Sequence, residues 1–154
     1  MPDAGDVPEA ERSRLPGERV VIVSWVTTVV FAVTAIGDRA GIDALELPAT
    51  VVAVGFFLVG MVVWGIAFVR AVGRSRHDEI TLSGLFFLQG TAPRPIQVQL
   101  LGSLAIAIVV AAATASEAPF GVMEPVLPLA LAGWWGARYG EFGPRRTVDQ
   151  RKRP

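Results

Sequence analysis

The chain has 154 residues, 52% hydrophobic and 18% charged, with 14 basic and 14 acidic side chains, one histidine and no cysteine. Without cysteine there are no disulfides, thiolate metal sites or cysteine nucleophiles, and with His77 the single histidine a histidine metal cluster is excluded and a Ser-His-Asp set is not expected. The formal net charge of zero hides a segregation: the charges stand between long apolar runs, which is the pattern of a membrane chain.

Residues 1–19 mix three Pro, two Gly and eight charges, and are expected to form a disordered cytoplasmic tail. The first apolar run, Val20 to Ile36, is at the short end for a span, with Arg19 able to snorkel at its start. A cleaved signal peptide is the rival reading, because Val33-Thr34-Ala35 resembles a cleavage site; the long acidic tail in front of it favours an uncleaved anchor. Gly37 to Glu46 is a short acidic connection.

Leu47 to Val69 is 23 residues without a charge, closed by Arg70, Arg74 and Arg76. At ~1.5 Å per residue it reaches roughly 34 Å, enough to cross a hydrocarbon layer of ~30 Å. Ile80 to Ala92 is a 13-residue apolar patch, too short to cross. It is expected in the cytoplasmic interface or under the bundle, ended by Pro93 and Pro95, with its secondary structure open between helix and strand. The third span is expected at 98–115 and the fourth at 120–137, where Pro125 and Pro128 should kink or disorder the outer turn. Residues 139–154 form a basic cytoplasmic tail, so the membrane domain covers 20–138.

With four spans and both termini in the cytoplasm, thirteen of the fourteen Lys and Arg fall inside and only Arg39 outside. That asymmetry is a strong positive-inside signal, and a fifth span at 80–92 would destroy it. Trp25, Trp64, Trp134 and Trp135 fall near Arg19, Arg70 and Arg138 at the cytoplasmic ends, as membrane-interface anchors would. The expected fold is an all-α four-helix transmembrane bundle with a short interfacial segment between spans two and three, multi-pass in the plasma (inner) membrane.

Glu124 is the one acid within an apolar run, and is the candidate intramembrane functional residue. Its place about one turn inside the outer end, near Glu117, favours an interfacial carboxylate that reaches water beside Pro125. Ser24, Thr27, Thr28 and Thr34 share a sector of the first span, where hydroxyls ordinarily bond their own i−4 carbonyl or a neighbouring helix. Ser103, Ala107, Ala111 and Ala115 form a small-residue ridge on the third span, and Ala132, Gly136 and Gly140 one on the fourth; these are expected to meet in a hairpin. Gly55, Gly60 and Gly65, at spacing five, do not share a face and are expected to make no dimer motif. The charges of Arg70, Arg74, Arg76, His77, Asp78 and Glu79 are read as a solvated flank.

The runs RSRHDEITLSGLFFLQGTAPRP, LLGSLAIAIV and LPLALAGWWGARYGEFGPR resemble a group of small actinobacterial membrane proteins, over about half of the chain from Arg74 to Arg145. The resemblance implies a membrane location and no particular activity. Neither a Walker-type loop nor an HExxH or GxSxG motif occurs. The expected function is a non-enzymatic accessory or structural membrane component, with no catalytic residue, cofactor or metal. Its partners are the lipid bilayer and a membrane protein or second copy of the chain, not nucleic acid. A small transporter or channel subunit using Glu124 is the alternative.

Overall fold

A computed structural model describes residues 16–144; the expectations for 1–15 and 145–154 lie outside the described residues. Five helices follow in order: α1 (Glu18–Arg39), α2 (Glu46–Arg74), α3 (Leu82–Phe86), α4 (Arg94–Thr114) and α5 (Val126–Tyr139), with 3-10 turns at Asp43–Leu45 and Pro119–Met123. Three of the helices are long and apolar enough to cross a membrane: α1, α2 with its preceding 3-10 turn, and α4. The fold is all-α and its location is a membrane.

The fourth expected span departs from a plain helix. α5 has 14 residues, about 21 Å, and the 3-10 turn before it adds about 10 Å. The cause is local: Pro119, Pro125 and Pro128 remove three backbone donors, so the regular i−4 ladder cannot form until Val126. The segment still traverses the bundle. Glu117 meets Arg39 at one end, while Gly140 and Gly143 meet Arg74 and Glu79 at the other. Irregular backbone at membrane depth survives where protein covers it, and nine of the fourteen α5 residues are buried. α5 is therefore the centre of the bundle. α2 is its rim, burying only Ala49, Ala53, Gly60, Ala67 and Ala71 along one stripe.

The small-residue ridges have other partners than the hairpin reading expects. Ser103, Ala107 and Ala111 are buried, and the α4 ridge faces α1: Ser103 bonds Ser24, and Ala111 packs with Phe31 and Ala35. On α5, Gly133 and Gly136 make room for the 84–88 segment, with Phe86 against one and the Leu85 carbonyl against the other. α4 also touches α5 and the 3-10 turn before it, but its small-residue ridge is taken by α1.

The 80–92 patch does not cross. It forms the five-residue α3, capped by the Thr81 hydroxyl on Gly84 N at 3.1 Å, and tucks Leu85, Phe86 and Leu88 under the bundle. Leu88 holds φ 57°, a conformation that costs a non-glycine residue about 1–2 kcal/mol. Full burial among Val21, Ile96, Leu100 and Trp135 offsets it. Pro93 and Pro95 end this segment and also open α4, which starts at Arg94 rather than at Val98.

Candidate functional site

Glu124 closes the 3-10 turn and immediately precedes Pro125, the residue before α5. Its depth follows from its neighbours. The backbone of Leu127 lies against Gly60, fourteen residues from either end of α2. The amide of Leu127 donates to the Glu124 carbonyl at 2.9 Å, which puts Glu124 one turn from that midpoint toward the Arg39 end. At ~1.5 Å per residue it stands roughly 15 Å below the start of the apolar run at Leu47.

The sequence places it about one turn inside the outer end and in reach of water; the structure places it near mid-depth with 0% of its surface exposed. Two features of the chain cause the difference. Leu127 is seated on the middle of α2, and Phe31 with Thr114 closes over Gly121 and covers the carboxyl from the Arg39 side, while the faster rise of the 3-10 turn adds only about 2 Å of depth.

Both carboxyl oxygens of Glu124 are buried without a hydrogen-bond partner, and so is the hydroxyl of Thr28. The other hydroxyls of α1 behave as membrane-helix hydroxyls do. Thr27 donates to Val23 O at 2.9 Å and Thr34 to Val30 O at 3.0 Å. Ser24 and Ser103 join α1 to α4 at 2.6 Å. Since the Ser103 hydroxyl donates to Leu100 O at 2.9 Å, Ser24 is the donor in that pair.

The aromatic and basic residues at the Arg19 end divide. Trp64 is exposed and stacks on Phe68 at 5.5 Å between ring centroids. The half-buried Trp134 lies under the guanidinium of the exposed Arg70 at 4.8 Å, and the exposed Arg138 stands 5.5 Å over Tyr139. Trp25 is half-buried against the core that holds Leu100. Trp135 is 1% exposed, and its indole N–H donates to Pro16 O at 2.8 Å. It is a core side chain that anchors the start of α1; Gly17 there, at φ 76°, leaves the room that the indole fills.

Among the described residues no three His, Asp or Glu side chains gather into a metal-binding group. No protein-family model, no curated protein and no solved structure matches this chain. Function is read from the residues themselves.

Two features escape the sequence reading. Arg74 belongs to no simple solvated flank: it binds Asp78 at 3.0 Å and donates to Ala137 O at 3.1 Å and Gly140 O at 3.2 Å, tying α2 to the end of α5. Its i, i+4 spacing from Asp78 was the visible sign. The second is on α2, where Gly60 faces inward while Gly55 and Gly65, with open space beside each, share the outward side.

Proposed function

We propose that the protein is a non-enzymatic integral component of the plasma membrane, with both termini cytoplasmic, that works by packing against another transmembrane helix. One observation carries this reading: the outward face of α2. Val51, Gly55, Leu58, Val62, Gly65 and Val69 repeat at spacings of four and three, and at ~100° per residue they fall within about 80° of one another. The stripe lies opposite the small residues that α2 buries against its own bundle.

Val51, Leu58, Val62 and Val69 are each at least 58% exposed. A glycine on a lipid-facing surface adds no contact and weakens the helix; beside another helix it lets the backbones approach. Gly55 and Gly65 have nothing within 4 Å of where a Cβ would stand, so the room they leave is unused within this chain. Among the described residues no three His, Asp or Glu side chains gather into a metal-binding group, and the reading rests on the helix face and not on a site.

Purification from native membranes in mild detergent tests this. A stoichiometric membrane-protein partner or a second copy should co-purify, and Gly55→Leu with Gly65→Leu should release it while leaving the fold intact. A lone monodisperse monomer from native membranes, or a partner retained by the double variant, overturns the reading.

A further inference from the structure

Glu124 is the one ionisable side chain within the apolar spans. The stretches packed around it, 20–37, 47–69, 95–116 and 118–123, carry no acid, base or histidine, and 125–137 carries none either. The nearest charged groups along the chain are Glu117, paired with Arg39 at the outer end, and Arg138 at the other. A carboxylate at such depth is costly without a partner, and intramembrane acids that persist mark sites of function.

The backbone makes no use of the Glu124 side chain. Its amide donates to Gly121 O at 3.2 Å, its carbonyl accepts from Leu127, and Leu129 N reaches Pro125 O at 3.2 Å. No side chain caps α5. The helix break is therefore satisfied by its own 3-10 bonds, and the carboxyl is left over.

Thr28 stands at the same level. Phe31, on the same side of α1 as Thr28, packs within 3.4 Å of the Cβ position of Gly121. Thr28 lies three residues before Phe31 on α1, and Glu124 three residues after Gly121 on a segment that runs the opposite way, so both are displaced from the Phe31–Gly121 contact toward the same end of the bundle. The two unpartnered polar side chains thus sit at one depth, on segments in contact.

We propose that Glu124, with Thr28 at the same level on a helix in contact with its segment, is an intramembrane proton-binding site. A metal cation needs a shell of several oxygens, and apart from Glu124 and Thr28 no buried side-chain oxygen among the described residues is unpaired. A proton needs one acceptor and, once bound, one hydroxyl to receive it. Thr28 supplies that hydroxyl, since it alone of the α1 threonines leaves its helix carbonyl unbonded. A break in a helix at mid-depth, next to a carboxyl, is also how membrane transporters hold their coupling ions.

Infrared spectroscopy of the full chain in liposomes, titrated with pH, tests this without requiring a reagent to reach the site. The expected result is the carbonyl band of a neutral carboxylic acid at pH 7, absent from Glu124→Gln, declining about tenfold per pH unit above its midpoint. Thr28→Val, which keeps the side-chain volume and removes the hydroxyl, should retain the band and shift that midpoint. The proposal is overturned if the band is missing at neutral pH or persists at full height into strong alkali. Loss of the band on adding sodium salt at fixed pH also overturns it, since the site would then hold a metal cation. The packing role of the α2 face stands or falls separately.

Discussion

Gly60 and Leu127 meet backbone to backbone: a Cβ on Gly60 would stand 3.0 Å from both the nitrogen and the Cα of Leu127. This contact seats the start of α5 on the middle of α2 and so sets the depth of Glu124. Neither partner can retreat, because the near atoms are main chain. Gly60→Val should cost about 1–3 kcal/mol, the range for overpacking a filled site. Gly73→Ala on the same helix meets open space and should be neutral or gain up to ~1 kcal/mol from helix propensity. Thermal unfolding in detergent, read by circular dichroism, compares the two; equal melting temperatures would refute the contact.

Arg74 closes the opposite end of the same helix pair. Its guanidinium donates to two carbonyls at the α5 terminus, pairs with Asp78 and lies 5.3 Å over Phe142. The carbonyls at a helix end lack intrahelical donors, and charge-assisted bonds to them are worth about 1.5–3 kcal/mol. Arg74→Gln should raise amide hydrogen exchange across 136–143 by about tenfold or more. Arg74→Lys should recover only part of the protection, since an ammonium cannot span two carbonyls and a carboxylate at once. Exchange unchanged in Arg74→Gln would mean that the tie carries no load.

The fold was legible because it is written in composition: uncharged runs of helical length separated by charged connections. The segments 16–17, 75–93 and 140–144 do converge on one end of the bundle, through Trp135 with Pro16, Glu79 N with Gly143 O and Glu141 N with Thr91 O. The depth of Glu124 was not legible, because counting residues from Phe120 sees neither the seat of Leu127 on Gly60 nor the cover of Phe31 and Thr114 over Gly121. The partners of the small-residue ridges were hidden for a related reason. A ridge in sequence names a face, but which element takes it is decided by side chains far along the chain, Ser24 and Phe31 for one ridge and Leu85 and Phe86 for the other. The outward stripe of α2 was in the sequence all along, at spacings of four and three. Counting Gly60 with Gly55 and Gly65 mixed two opposite faces and concealed it.

At the outer end, Glu117 accepts from the Ser116 hydroxyl and pairs with Arg39 at 2.5 Å. The Ser116 hydrogen bond, then the Arg39 charge, hold its carboxyl below the ordinary value of 4.5, against an opposing desolvation cost. A carboxyl lowered in the folded state contributes stability above its unfolded value, and that contribution is lost as pH falls through the folded value. The clip between α1 and the 116–118 turn should therefore be insensitive to pH from 8 to about 5 and open in more acidic solution. Both groups are exposed, so high salt should weaken it. A carboxyl carbon titration by NMR is expected to give a midpoint under 4.5. Ser116→Ala should raise it more than Arg39→Gln does, and the reverse order would assign the cause to the charge.

The absence of cysteine makes orientation directly testable, since a single introduced thiol has no background. Ala40 and His77 are both exposed and lie at opposite ends of α1 and α2. Among the described residues six of the seven Arg lie on the His77 side and Arg39 on the other, which supports the proposed orientation with the His77 side in the cytoplasm. On intact cells a membrane-impermeant maleimide should label Ala40→Cys and spare His77→Cys; after lysis it should label both. The two residues are joined by α2, a single uninterrupted helix from Glu46 to Arg74, so they cannot lie on one side of a bilayer that this helix crosses. Labelling of both thiols on intact cells would show that α2 does not span. Labelling of His77→Cys alone would invert the bundle and put the Arg70 and Arg138 surfaces outside.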